Sequence, residues 1–238
     1  MDETYTFKRG VLDAAPTMLG YLSIGLTVGI LGVSAHLPIW FIVGMSIFVY
    51  AGSAQFLMTS LAASMAPVSA ITSLVFLVNA RHLLMSLSVA QKFSHQSLPS
   101  AIGMGSLLTD ESYGVFASNH TNTNITVSWQ HGVNVSSYLA WIIATFVGAF
   151  FGQFIPNPQQ FGLDFALAAM FAALWYFQID TAKVITTRRL IITTVGSTVL
   201  IYLIMAPFFG SASAVLIATV IAAGLSAYLN AKRPGGFV

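Results

Sequence analysis

The chain has 238 residues, of which 56% are hydrophobic and only 7% charged, and its formal net charge is +2. Soluble domains carry about 25% charged residues, so this composition, with a mean hydropathy of +0.81, specifies an integral membrane protein built as one membrane domain over 1–238. The small, scattered charge excludes nucleic acid as a partner, and the lack of cysteine excludes disulfides, thiolate metal sites and a cysteine nucleophile.

Met1-Asp2-Glu3-Thr4-Tyr5 has neither a basic n-region nor a short apolar h-region, so no cleaved signal peptide is expected. Windows of about 20 apolar residues predict an all-α polytopic bundle of eight spans. They fall near 12–33, 38–62, 67–90, 100–118, 133–155, 161–178, 190–207 and 211–229. Pro38, Pro67, Pro99 and Pro156 lie at or beside the breaks, where a missing N–H is harmless. The fourth segment is the irregular one: it is short, carries Gly103, Gly105 and Gly114, and has Asp110-Glu111 near its centre.

Loop charge sets the orientation. With eight spans, Lys8-Arg9, Lys183, Arg188-Arg189 and Lys232-Arg233 share one face, which the positive-inside rule makes cytoplasmic, N-in and C-in. Lys92 is then left on the outer face. If 100–118 only dips in and returns, the 179–189 loop and the C-terminus change sides. A weak internal echo pairs Pro38–Phe56 with Pro156–Phe171, and Gly25-x3-Gly29 with Gly148-x3-Gly152.

Three polar constellations stand out in this apolar background. The first is Asn79-Ala80-Arg81-His82 in the third span. An arginine at mid-depth costs about 2.5–3.5 kcal/mol on the insertion scale, so it needs a partner, a wet cavity or a substrate. Helical spacing puts Thr72, Asn79, His82 and Ser86 on one stripe, with Arg81 and Ser88 on another. A span polar on two sides is expected inside the bundle. Arg81 reads either as a tether to carbonyls and a carboxylate or as a binder of a substrate carboxylate, which its planar fork suits.

The second is Asp110-Glu111 within Thr109-Asp110-Glu111-Ser112-Tyr113. Adjacent helical positions differ by about 100°, so at most one acid faces Arg81 squarely. The other must be neutral, hydrated or paired elsewhere, and a desolvated carboxyl can carry a proton. The plainer alternative is an ion pair joining two helices. The third is Tyr50-Ala51-Gly52-Ser53-Ala54-Gln55-Phe56 in the second span. Its small residues permit close helix packing or a local unwinding that bares backbone groups, and Gln55 brings both a donor and an acceptor.

The remaining polar residues carry less. Asp13 and Asp164 suit helix starts. The histidines are scattered without ligand spacing, so no metal site is expected, and Trp40, Trp129 and Trp175 suit interfacial belts. No GxSxG or P-loop occurs, so the chain reads as a non-enzyme without a cofactor.

Taken together and in this order, Tyr50–Phe56, Asn79–His82 and Thr109–Ser112 resemble the AzlC family, as do Gly10–Pro16 and Leu163–Leu167. Ala80 stands where relatives commonly have leucine. The resemblance implies a multi-pass permease of the bacterial inner membrane that exports branched-chain amino acids beside a small hydrophobic subunit of the AzlD type. On that reading Arg81, Asn79, Gln55, Tyr50 and Ser53 contact substrate, and Asp110, Glu111 and His82 handle a coupling proton. The rival readings are an uncoupled facilitator for another small neutral solute and a non-transporting membrane scaffold.

Overall fold

The computed structural model describes residues 5–119, 124–157 and 187–231, with scattered positions from 160 to 180. The described elements are helical. They divide into two compact units, 1–167 and 168–238, each taken here by itself. A helical membrane bundle fits, and four described helices are long and apolar enough to cross a bilayer.

In the first unit, Thr6 caps α1 (Phe7–Asp13) by accepting the Arg9 N–H. Ala14 joins it to α2 (Ala15–Ser34), which has Pro16 in its first turn. α2 ends with His36 at φ 60°. There the Leu37 N–H reaches the Gly32 carbonyl and the His36 N–H that of Val33, a Schellman arrangement. Pro38 follows and cannot continue the helix. α4 (Gly52–Ala63) ends the same way, with Met65 at φ 55° before Pro67.

The second expected span is broken. α3 (Ile39–Phe48) stops, Tyr50 takes φ 42°, Ala51 is extended, and α4 begins at Gly52. α5 (Val68–Lys92) runs unbroken for 25 residues. The fourth expected span is broken too, into α6 (Leu98–Ser106) and α7 (Asp110–Asn119). α8 (Val127–Gly152) closes the unit as its longest helix.

Glycines fuse α1–α2 to α8. A Cβ at Gly10 would fall on the Trp129 carbonyl, at Gly29 on the backbone of Thr145–Ala149, and at Gly148 on Leu26. One at Gly25 would lie 2.7 Å from Ala144 Cβ. Numbers rise together along this seam, so α2 and α8 run parallel. The echoed glycine pairs, 25/29 and 148/152, are thus the two sides of one contact.

Contacts also fix where the broken segments go. On α3, Ile42 packs against Gly32 and Ala149, and deeper in, Ser46 meets Thr145 and the Ile47 carbonyl meets Tyr138. α4 starts at the level of Trp141 and brings Met58 back to the Ile42–Ala149 cluster. α3 and α4 therefore form a hairpin that enters from the face where α2 ends and returns to it.

The second hairpin mirrors this from the other face. α6 leaves the end of α5 and climbs until Gly105 sits against Ser86. α7 then descends: Asp110 meets Arg81, Tyr113 meets Ser88 and Phe116 packs on Phe93. Phe116 shares a cluster with Ala14, Ile125 and Trp129, at the face where α1 lies. Segments 38–62 and 100–118 therefore do not cross. The physical reason is length, because helices of 9–12 residues fall short of the about 20 that span hydrocarbon. Lys92 consequently joins Lys8-Arg9 on the α1 face.

α5 is less enclosed than its sequence predicts. Val89 is its one fully buried residue among those described, and Phe76, Leu83, Leu84 and Leu87 are exposed. The half-helices cover the middle of one side and leave the rest apolar, as a lipid-facing surface requires.

In the second unit, α9 is assigned over Arg188–Ala231 with Pro207 inside. The Thr194 and Ser226 hydroxyls nevertheless touch across 32 residues, which a straight helix would hold about 48 Å apart. The chain therefore folds back between them, and the two arms correspond to the spans expected at 190–207 and 211–229. The 161–178 span and the second half of the Pro156–Phe171 echo lie largely outside the described residues.

The hairpins make a direct prediction, for which the cysteine-free chain is convenient. Single-cysteine variants Leu37→Cys and Met65→Cys should react with a membrane-impermeant maleimide from the same side, and Leu98→Cys from the opposite one. Labelling of Leu37→Cys and Met65→Cys from opposite sides would restore the crossing second span.

Candidate functional site

The tips of the two hairpins meet beside the middle of α5. Arg81 donates to Ser53 Oγ at 2.6 Å and pairs with Asp110 Oδ2 at 2.8 Å. One guanidinium thus joins the first turn of α4 to the first turn of α7. Both half-helices aim their N-termini, with the partial positive charge found there, at the same place from opposite faces.

The two N-termini are finished differently. At α7, Thr109 Oγ1 accepts from the Ser112 N–H at 3.2 Å, and Ser112 Oγ accepts from the Thr109 N–H at 2.9 Å. This is a reciprocal capping box with serine in place of the usual glutamate. Asp110 and Glu111 occupy the first turn, where the helix dipole favours carboxylates. Asp110 turns to Arg81, while Glu111 accepts from the Tyr21 hydroxyl of α2 at 2.8 Å. Tyr21 also shares a hydrogen bond with Thr109 Oγ1 at 2.6 Å, and its ring stands edge-on to Trp141 at 4.9 Å. At α4, by contrast, the residue before the first turn is Ala51, and no side chain caps the helix.

α8 satisfies the opposite ends of the breaks. Tyr138 donates to the Ile47 carbonyl at the end of α3, at 3.0 Å. Asn134 donates to the Met104 carbonyl at the end of α6, also at 3.0 Å, and accepts from Gln130. Higher up, Trp141 Nε1 donates to Gln55 Oε1 at 2.9 Å. Gln55 in turn donates to Ser46, which donates to Thr145. Gln55 is fully buried and ties both arms of the first hairpin to α8. Gly52 presses on the same tryptophan, since a Cβ there would lie 2.9 Å from Trp141 Cη2.

The residues singled out from sequence therefore fall into four groups. Arg81, Ser53 and Asp110 are in direct contact, with Glu111 next to them on Tyr21. Tyr50 stacks edge-on against Tyr138 at 4.8 Å, with its hydroxyl in the neighbourhood of Tyr21, Thr109 and Glu111. Asn79 and His82 lie on α5 within a turn of Arg81. Gln55 faces α8. Four buried polar atoms around this junction have no hydrogen-bond partner: Tyr50 OH, Asn79 Oδ1, Arg81 Nε and, on the inner face of α8, Ser137 Oγ. Among the described residues no cluster of three His, Asp or Glu side chains could hold a metal ion.

Tyr21, Asn134, Ser137, Tyr138 and Trp141 do not stand out by residue type. Spacing was the available signal. Gln130, Asn134, Ser137, Trp141 and Thr145 recur at intervals of four, three, four and four, one face of a helix, in a segment otherwise apolar enough to span. Trp129 corrects the interfacial assignment: it is fully buried, and its Nε1 donates to Asp13, which also pairs with Arg9. Trp40 and Trp175 are exposed, as a belt position requires.

If Gln55 is a brace, Gln55→Leu should orphan Trp141 Nε1 and loosen Ser46–Thr145. The expected cost is about 2–4 kcal/mol, read as a lowered unfolding midpoint of the purified protein in detergent. An unchanged midpoint would remove the brace.

The AzlC protein family matches residues 16–155, the part of the chain that holds both hairpins and their post α8. The branched-chain amino acid transport protein AzlC of Bacillus subtilis is 30% identical over 181 residues, covering 72% of this chain and 67% of that protein. The inner membrane protein YgaZ of Escherichia coli is 27% identical over 177 residues, covering 70% of each. A membrane protein of Helicobacter pylori is 27% identical over 181 residues, covering 73% of this chain and 78% of its own. No solved structure is significantly similar. With its family match spanning the whole Arg81 junction, the chain belongs to the AzlC family.

Proposed function

We propose that this protein is a secondary transporter that exports branched-chain amino acids, driven by protons. The observation that carries the reading is Arg81, held in mid-membrane between the tips of two opposed half-helix hairpins. A guanidinium there is costly unless used, and it is shaped to take a carboxylate. The name of the Bacillus subtilis relative supplies the substrate class. A small apolar zwitterion suits a site with one fork, two helix N-termini and apolar surroundings.

In the cycle, the substrate carboxylate competes with Asp110 for Arg81, and Glu111, with His82 nearby, takes the proton. The bonds from Arg81 tie the two tips together, which suits a carrier open to one side at a time better than a continuous pore. Following the family resemblance, the partner is a small hydrophobic subunit of the AzlD type, and the membrane is the bacterial inner membrane. The face bearing Lys8, Arg9 and Lys92 is cytoplasmic.

Cells loaded with a leucine- or valine-containing dipeptide should release the free amino acid faster when they make this chain and its partner together. No acceleration by a correctly inserted pair would discard the branched-chain substrate, and efflux that ignores an imposed pH gradient would leave an uncoupled facilitator. In the same assay Arg81→Lys should lose at least tenfold in rate, because an ammonium lacks the planar fork that grips a carboxylate through two parallel N–H groups. Asp110→Asn and Glu111→Gln variants that both keep proton-driven efflux would remove the coupling role.

A further inference from the structure

The α4 N-terminus differs from the α7 N-terminus in lacking a side-chain cap and an acidic first turn. Three of its backbone N–H groups, those of Gly52, Ser53 and Ala54, precede the first intrahelical bond, which runs from Gln55 to Ala51. No side chain caps them. The α7 N-terminus is closed by its own capping box and two carboxylates. Ser53 does not neutralise α4 either, because its hydroxyl accepts from Arg81. About half an elementary charge therefore stands at α4, beside a guanidinium whose single carboxylate partner is Asp110.

A second set of atoms points to what belongs there. Arg81 Nε is a donor without an acceptor, buried next to this helix start. Tyr50, one residue before the capping position, is only 6% exposed, and its buried hydroxyl has no hydrogen-bond partner. Asn79 Oδ1, within a turn of Arg81, is an acceptor without a donor. The unmet donors, Arg81 Nε and the α4 N–H groups, call for an acceptor, which the positive charge around them favours as an anion, and the unmet acceptor calls for a donor. A zwitterion offers both. The site is also open to close approach, because Ala51, Gly52 and Ala54 put nothing larger than a methyl group beside the backbone, and Trp141 lies against Gly52.

We infer that the first turn of α4 is the carboxylate seat of this transporter, with the backbone N–H groups of Gly52–Ala54 and Arg81 Nε as donors, and that it selects α-amino acids by their free carboxylate. The inference rests on the amino-acid reading above and deepens it. Arg81 then serves as a hinge between Asp110 and the substrate, and the backbone supplies the permanent half of the site. Helix N-termini of broken helices bind anionic groups elsewhere by the same physics.

The test uses the purified full-length protein and equilibrium binding of three probes: leucine, leucinamide, which has no carboxylate, and 4-methylpentanoate, which has no amine. The wild type should bind leucine at least tenfold more tightly than leucinamide. Ser53→Asp places a carboxylate in the first turn of α4, where it occupies the seat and pairs with Arg81. That variant should lose at least tenfold for leucine and 4-methylpentanoate while leucinamide is spared, a selective loss of preference that misfolding does not produce. Ala54→Asp, in the same turn, should act alike if Ser53→Asp fails to fold. Wild-type preference in a folded aspartate variant, or equal binding of leucine and leucinamide by the wild type, would overturn the seat and leave the transport reading intact. Binding of 4-methylpentanoate with no branched-chain transport would keep the seat and sink the substrate assignment. Failure of the wild type to bind any of the three probes would remove both.

Discussion

Two broken backbones inside a bilayer create the problem that the rest of this structure answers. Hydrocarbon offers no hydrogen bonds, so each exposed N–H or C=O at a break costs several kcal/mol. At both breaks the free carbonyls meet side chains of α8, Tyr138 at Ile47 and Asn134 at Met104. The free N–H groups of α7 are met locally by Ser112 and Thr109. Those of α4 are left bare of any side-chain cap. α8 can act as the common post because glycines let α2 lie directly on its backbone. The polar stripe and the glycine seam share one broad face of α8, since Thr145 belongs to the stripe and Gly29 packs on its backbone.

The two hairpins answer each other across the membrane. Each follows a helix that crosses fully, α2 for the first and α5 for the second, and each enters from the face where that helix ends. Since α2 and α5 cross in opposite senses, the hairpins point at one another and their N-termini converge. Like partial charges would repel there. Asp110 and Glu111 supply the opposite sign at one tip, and Arg81 uses Asp110 to span the remainder. The residual imbalance, located at α4, is what makes the junction receptive to an anion.

Much of this was legible in the sequence, and the remainder has identifiable causes. Composition alone placed the chain in a bilayer, and the cost of Arg81 at mid-depth marked the residue on which the tips converge. Asp110-Glu111 and the small residues of 51–54 marked the two breaks. What misled was the assumption that an apolar window of span length crosses. Segments 38–62 and 100–118 satisfy it in composition, yet the αL turn at Tyr50 and the capping box at Thr109 divide each into pieces too short. Lys92, stranded on the wrong face by an eight-span count, was the visible sign of that error. Tyr21 and Asn134 were illegible for another reason: a lone tyrosine or asparagine in an apolar helix acquires meaning only from a partner about 30–90 positions away, across a tertiary contact.

The dependence of the first hairpin on α8 also orders the assembly of the chain. Ile47, Ser46 and Gln55 find their partners 86–99 residues later. While the chain is being made, α3 and α4 therefore leave the ribosome with an open break and no post to lean on, and neither is long enough to insert by itself. Their contacts to α8 form only once Val127–Gly152 has been made. The hairpin that forms half of the junction is thus synthesised early and completed late, and the interval is set by the translation of α5 to α8.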